Sequence, residues 1–311
     1  DYFVSGFIST DNVGEAGAKT LELAYDDFCA YNLAKMTGNT YYEKMFERQM
    51  YNYKNIYDPT VGFMRGRKRD GSWVPEKFDP KEWGGAFTEG NSWQYSWSVF
   101  HDVKGMVELM GGDKAVQTKL DTFFNTTSDF KVGSYGNEIH EMTEMVIANM
   151  GQYAHGNQPC MHVGYLYNYV GQPWKTQHRI REVLSKLYNA GPKGFPGDED
   201  QGAMSSWYVI SALGIYSVTP GVDQYNISSP VFNKATISLE SGKKFTIIAK
   251  NNSKTNVYIQ SATLNGKVYN HNFINHSDIM NGGTLELVMG DKPNISRGTL
   301  DADKPFSVSN K

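Results

Sequence analysis

From residue 16 to residue 36 apolar side chains recur at helical spacing, with Leu21, Ala24, Tyr25, Phe28 and Tyr31 on one face. That pattern predicts a helix ended by Thr37-Gly38-Asn39, and a second helix near 41–57 makes a helical hairpin with it. The pattern then lapses over residues 58–91, a long loop rich in Gly, Trp, Asp and Arg. Its aromatics Phe63, Trp73, Phe78, Trp83 and Phe87 predict an ordered loop, and long ordered loops are usually functional. Helical spacing resumes near 92–110, closed by Gly111-Gly112, and again from a cap at Asp113 to about 124. A second long loop, 125–140, precedes helices near 142–152, from His155-Gly156-Asn157-Gln158-Pro159 to 169, from Gly171-Gln172-Pro173 to 189, and over 201–214. Proline at the start of the 173–189 segment suits an early helical position. Short turns alternate with long loops, the logic of an α/α toroid whose site lies at the long-loop end.

Near residue 225 the period changes to two. Residues 235–239 and 245–249 flank Glu240-Ser241-Gly242-Lys243-Lys244 as a hairpin, and Asn265-Gly266 is a strong turn signal between 257–259 and 267–269. A further strand falls at 284–288. The chain therefore divides into a mainly α part, residues 1–221, and a β-rich part, residues 222–311. The strands are too few to close a sandwich alone and are expected to join a sheet supplied by chain outside this sequence.

A length of 311 residues holds one large or two ordinary domains. A net charge of −3 argues against a nucleic-acid binder that neutralises phosphates. No apolar run reaches the length of a membrane span, and no signal peptide is present. The abrupt start Asp1-Tyr2-Phe3-Val4 reads as an internal segment. Aromatics at 14% suit sugar-stacking surfaces as well as a large core. Cys29 and Cys160 form neither a disulfide framework nor a metal motif, and helical patterns around both place them in the core. Five Asn-x-Ser/Thr sites begin at Asn125, Asn226, Asn251, Asn275 and Asn294.

The candidate chemistry is carboxylate chemistry. Asp198-Glu199-Asp200 follows a Gly/Pro-rich run and opens an apolar helix. One acid there would cap the helix, but three suggest an acid–base centre or a cation site. Glu89 ends the first long loop among aromatics that would desolvate it and raise its pKa, as a general acid requires. His140-Glu141 alone is a surface pair. Asn157 and Gln158 offer amide oxygens suited to a hard cation such as Ca²⁺, or Asn157 caps a helix. His155 and His162 lack zinc spacing, and no phosphate loop, dinucleotide fingerprint or nucleophile elbow occurs. Paired carboxyl sites on aromatic-lined loops point to glycoside hydrolysis.

Leu21-Glu22-Leu23-Ala24-Tyr25-Asp26-Asp27, Glu89-Gly90-Asn91-Ser92-Trp93-Gln94-Tyr95, His155-Gly156-Asn157-Gln158-Pro159, Tyr167-Asn168-Tyr169-Val170-Gly171-Gln172-Pro173-Trp174-Lys175-Thr176-Gln177 and Gly197-Asp198-Glu199-Asp200-Gln201-Gly202-Ala203-Met204-Ser205-Ser206-Trp207-Tyr208 together resemble glycoside hydrolase family 92. Its members are calcium-dependent, inverting exo-α-mannosidases with an N-terminal β-sandwich on an (α/α)6 toroid. The resemblance implies that this chain is the second half of the toroid plus a β-rich region completing the sandwich, with the sandwich and first half of the toroid supplied by missing chain. It places the general acid on Glu89 and the general base on Asp200, assisted by Asp198. It implies mannose contacts from Trp93, Asn157 and Lys175, calcium contacts from Asn157 and Gln158, and α-1,2 recognition at the leaving sugar by His140-Glu141. Mannose-rich oligosaccharide is the implied substrate, in a secreted, periplasmic or cell-surface setting. Two other readings keep the fold: a glycan-binding member without turnover, and a polysaccharide lyase, which would want a Tyr, His or Lys base.

Overall fold

In the computed structural model, which describes residues 2–310, the short helix α1 (Tyr2–Ser5) precedes α2 (Ala16–Met36) and α3 (Thr40–Gln49). Leu21, Ala24, Phe28 and Tyr31 are buried along α2 as the stripe requires. Each large apolar side chain so buried contributes about 1.5–3 kcal/mol. Cys29, expected in the core, is exposed instead, because one residue past Phe28 the helix has turned by about 100°. Asn39 caps α3 by accepting the Tyr42 N–H at 3.4 Å. This helix stops short of residue 57, and the weak helix formers after Met50 tighten into a 3₁₀ turn, Asn52–Ile56, that buries Tyr53 and Ile56.

The first long loop is ordered by two small antiparallel ladders, β1 (Tyr57–Asp58) with β2 (Phe63–Met64) and β3 (Gly66–Arg67) with β4 (Trp73–Val74). Arg65 and Asp58, both buried, form an ion pair at 2.7 Å across it. The single helix expected over 92–110 is two, α4 (Ser92–Tyr95) and α5 (Val103–Leu109). Ser96 Oγ donates to Ser92 O at 2.6 Å and accepts the Met64 N–H at 3.1 Å. Asp102 then starts a new helix by accepting the Gly105 N–H at 3.2 Å and the Tyr53 hydroxyl at 2.8 Å. Helix α6 (Asp113–Asn125) begins after Gly112, so Asp113 lies in its first turn and does not cap it. Helix α7 (His140–Ala148) ends at Asn149, which takes the left-handed conformation.

The chain divides between Cys160 and Met161 into two compact units, so the expected boundary after residue 221 falls inside the second. The stretch 155–169, expected as one helix, forms 3₁₀ turns at Gln158–Cys160 and Val163–Tyr169. The latter is buried throughout, and Gly164 packs close to α8: a Cβ there would sit 3.0 Å from Ile180 Cδ1, which would have to shift. Helices α8 (Pro173–Lys186) and α9 (Ala203–Ala212) follow. Strands β5 (Ile215–Tyr216), β6 (Gln224–Ile227), β7 (Lys234–Ser238), β8 (Lys244–Lys250), β9 (Tyr258–Leu264), β10 (Lys267–Val268) and β11 (Phe273–Asn275) lead through α10 (His276–Asn281) to β12 (Gly283–Gly290). They form a three-stranded sheet, β11-β6-β5, and a five-stranded sheet, β10-β9-β12-β8-β7. Within the larger sheet β12 pairs parallel with β8 and antiparallel with β9. Alternate residues Phe245, Ile247, Ile259, Leu285 and Leu287 share one apolar core with Ile215, Ile227 and Ile274 of the smaller sheet.

Candidate active site

Glu89 sits in the first unit, on the left-handed side of backbone space at φ 46°. Such a conformation costs a non-glycine residue about 1–2 kcal/mol, so its surroundings must hold it. They do so through consecutive backbone groups. The Tyr95 hydroxyl donates to Thr88 O at 2.6 Å, and the Glu89 N–H donates to the Tyr135 hydroxyl at 2.7 Å. Asn157 Nδ2 donates to Glu89 O at 2.7 Å, and Gly84 N–H to Gly90 O at 2.9 Å. Gly90 is needed here, because a Cβ would lie 2.8 Å from the Tyr95 ring. Glu89 itself is exposed, whereas Trp83, Phe87 and Tyr95 are buried. Trp83 and Phe87 turn into the core, and Tyr95 stays beside Glu89 in the lining of one cavity.

A cavity of about 260 Å³ runs beside this peptide, lined among others by Glu22, Thr88, Glu89, Tyr95, Asn157 and Gln158. Partial burial, then the charges of Asp26 and Glu15, push the Glu22 carboxyl above its usual range. A larger cavity of about 500 Å³, also within the first unit, is lined in part by Asp11, Arg65, Phe78, Glu82 and Trp83.

Asp198 and Asp200 belong to the second unit and are both exposed. Asp200, Gln201 and Gly202 are left-handed in succession, with φ of 55°, 56° and 99°. The acid that caps α9 is the middle one. Glu199 accepts the Gly202 N–H at 2.8 Å, the Ser205 N–H at 3.1 Å and the Ser205 hydroxyl at 2.6 Å. The Ser205 hydroxyl, then the two backbone N–H groups, hold the Glu199 carboxyl below its usual range. The helix start is thus satisfied by Glu199, and neither aspartate is the cap.

Of the remaining expected residues, Asn157 and Gln158 line the cavity with Glu89. Asn157 is buried, and its Oδ1 accepts the Gln158 N–H at 3.0 Å. Trp93 packs elsewhere in the first unit, edge-on to Phe63 with centroids 4.7 Å apart, in an aromatic box around Lys119. The Lys119 ammonium lies 3.6 Å from the Phe63 centroid, and burial pushes its pKa down to about 7. His140 opens α7, with Nε2 at 3.0 Å from Glu141 Oε1 and Nδ1 at 2.9 Å from Glu144 Oε1. Glu141 is buried, and among the described residues its Oε2 has no hydrogen-bond partner. Lys175, in the first turn of α8, lies 5.5 Å from the Tyr167 ring centroid. His155 is structural: burial pushes it down to about 3, and its Nδ1 lies 2.6 Å from the Tyr153 hydroxyl. Tyr135 and the capping role of Glu199 were not legible in the sequence, whereas Glu22 stands inside a motif already singled out.

Residues 1–291 match the glycosyl hydrolase family 92 catalytic domain. The chain belongs to this family. Its helical region and its distinct β-rich region match the family's (α/α)6 toroid and β-sandwich architecture. An inverting mannosidase of the family from Bacteroides thetaiotaomicron is 47% identical, with a TM-score of 0.89 over 99% of this chain and 42% of its own. An α-mannosidase of the family from the same organism, in complex with mannoimidazole, is 34% identical with a TM-score of 0.91, covering 99% of this chain and 40% of its own. An uncharacterized secreted glycosidase of Arthroderma benhamiae is 32% identical over 335 residues, 99% of this chain and 39% of that protein. The family 92 chain thus spans about two fifths of the length of these relatives.

Proposed function

We propose that the protein carrying this chain is an inverting exo-α-mannosidase that releases mannose from mannose-rich glycans, with α-1,2 preference. One observation carries this reading: within a family 92 chain, the residue expected to be the general acid, Glu89, stands exposed on a peptide whose backbone is clamped by hydrogen bonds. The inverting mannosidase from Bacteroides thetaiotaomicron, at 47% identity, supports it. Glu89 protonates the leaving oxygen, and Asp200, with Asp198, takes the proton of the attacking water. The linkage preference is assigned to the His140-Glu141 pair, in which the exposed His140 ring is held by the Glu141 carboxylate at 3.0 Å. Trp93, although it packs against Phe63 beside Lys119, and Lys175 complete the proposed mannose contacts. The upstream half of the toroid and the N-terminal sandwich complete the active protein, in keeping with the share of its relatives that the chain spans. Its likeness to the secreted Arthroderma glycosidase supports a place outside the cytoplasm for the protein, whether secreted, periplasmic or cell-surface.

Calcium is proposed on the amide oxygens of Asn157 and Gln158, which would supply part of the roughly six to eight oxygen ligands the ion takes. Among the described residues no three His, Cys, Asp or Glu side chains gather as a ligand group. Asn157 Oδ1 keeps a second lone pair beyond its bond to the Gln158 N–H, and Gln158 lies exposed beside it at the cavity. Bound there, the ion would supply a hard positive centre that orients sugar hydroxyls. Chelation of the full-length protein should abolish turnover and Ca²⁺ should restore it; rescue by Zn²⁺ alone would reject this assignment.

The decisive experiment follows product by NMR. Wild-type protein should release β-mannose first from an α-mannoside, and Glu89→Gln should lose about 10²–10⁴-fold on natural glycans but far less on an activated aryl mannoside. Release of α-mannose first would reject inversion, and equal losses on both substrates would reject the acid role.

A further inference from the structure

We propose that the groove between α8 and the loop leading into β9 is a second binding site, for a neutral oligosaccharide, made from none of the residues proposed for the reaction. The inference rests on the mannosidase reading for the identity of its sugar. Helix α8 presents His178, Arg181, Glu182 and Ser185 along one stripe, at the i, i+3, i+4, i+7 spacing. Thr255 and Tyr258 face them across a cavity of about 870 Å³, a volume within the range of small-ligand sites.

Three features suit a sugar. The Tyr258 and His178 rings are almost parallel, at 9° with centroids 6.3 Å apart, and the hydroxyl lies 3.5 Å from Nδ1. Such flat, edge-polar rings pack against the C–H face of a pyranose while their polar atoms meet its hydroxyls. The wall is also pre-set. Arg181 Nη1 donates to Pro230 O at 2.6 Å and Asn252 Oδ1 at 2.8 Å, and Nη2 donates to Ser253 O at 2.7 Å. The guanidinium thus rivets the 252–255 loop to the helix, so little ordering is left to occur on binding. Finally, both signs of charge line the groove. Lys254 and Arg181 are matched by Asp291 and by Glu182, whose carboxylate is 2.7 Å from Arg179. A phosphate or acidic sugar would meet two carboxylates, whereas hydroxyls can donate to acids and accept from bases. Held there, one branch of a glycan raises the local concentration of its other ends.

The test uses the full-length protein. Tyr258→Ala, and independently Ser185→Trp, which fills the groove without removing the ring, should each raise KM for α-mannan about three- to tenfold, as loss of one stacking contact predicts. Tyr258→Phe should retain most of the wild-type KM, and all three should turn over p-nitrophenyl α-mannoside normally. In the Glu89→Gln background, mannotetraose should perturb the Tyr258 ring resonances at concentrations where inorganic phosphate does not. Unchanged KM for mannan in both groove variants, or perturbation by phosphate in preference to mannotetraose, overturns the proposal. If Glu89→Gln keeps full turnover while mannotetraose still binds the groove, the catalytic reading fails and the groove stands.

Discussion

The loop of Glu89 and the loop of Asp198 and Asp200 both present exposed acids, with Glu89 and Asp200 on left-handed backbone, yet they are held by opposite means. The Glu89 peptide is fixed by partners far away in sequence, the Tyr135 hydroxyl and the Asn157 amide, 46 and 68 residues on. The 198–202 loop is fixed from within, by Glu199 reaching no further than Ser205. One acid therefore depends on packing within its unit, because the turn at Tyr135 and the segment at Asn157 must both be in place before Glu89 is. The other carries its scaffold with it and needs only the first turn of α9. Substitutions remote in sequence should disturb the first loop and spare the second.

The largest effect is expected at Asn157. Asn157→Ala removes the donor to Glu89 O and the acceptor of the Gln158 N–H at a buried position. Losing each of these part-buried hydrogen bonds costs about 0.5–1.5 kcal/mol, and a displaced acid costs about 10²-fold in kcat. Amide exchange at residues 203–206 should stay as in wild type; activity within twofold of wild type would end the claim that this clamp matters.

Glu199 comes next. Glu199→Ala should lower kcat about tenfold through a loosened 198–202 loop and speed exchange at the Gly202 and Ser205 amides, with Glu199→Gln milder because its amide oxygen still accepts. The sign with pH follows from its lowered pKa. The contribution is fully present above the usual glutamate value of about 4.5 and is lost as pH falls through the lower folded value. Protection of the Ser205 amide should therefore fall only on acidification below that range, and Glu199→Gln should flatten the dependence; loss of protection between pH 5 and 7 would exclude Glu199 as the cause. The smallest effect belongs to Tyr135→Phe. The Glu89 N–H is exposed enough to turn to water, so about 0.5–1.5 kcal/mol is at stake, read as a loss of about three- to tenfold in kcat with unchanged KM. A change in KM alone would assign Tyr135 to binding instead of positioning.

The same contrast of local and distant partners separates what the sequence discloses from what it hides. The β-rich region was legible because its signals are short: alternation along β8 and β12, and the Asn265-Gly266 turn, whose φ angles of 52° and 78° only such residues adopt readily. The carboxylates at 89, 198 and 200 were legible as motifs. The break in the 92–110 helix was not, since Ser96 is claimed by the Met64 N–H and Asp102 by Tyr53, partners no window of sequence contains. The cap of α9 went to glutamate where an aspartate is the usual choice, because its longer side chain reaches forward to Ser205. Tyr135 lies in a glycine-rich loop with no periodicity, so nothing marked it.

The parallel pairing of β12 with β8 has a consequence for the order of assembly during synthesis. In the order β10-β9-β12-β8-β7, the middle strand is the last of the five to emerge from the ribosome. Until residues 283–290 are available, the nascent chain holds two separate pairs, β7 with β8 and β9 with β10, each with an open edge. Isolated two-stranded pairs are marginal in water. The sheet is therefore completed in one late step, across a loop of more than thirty residues between β8 and β12. Nascent chains released before residue 283 should stay sensitive to protease throughout 234–268, and those extended past 290 should become resistant in a single transition.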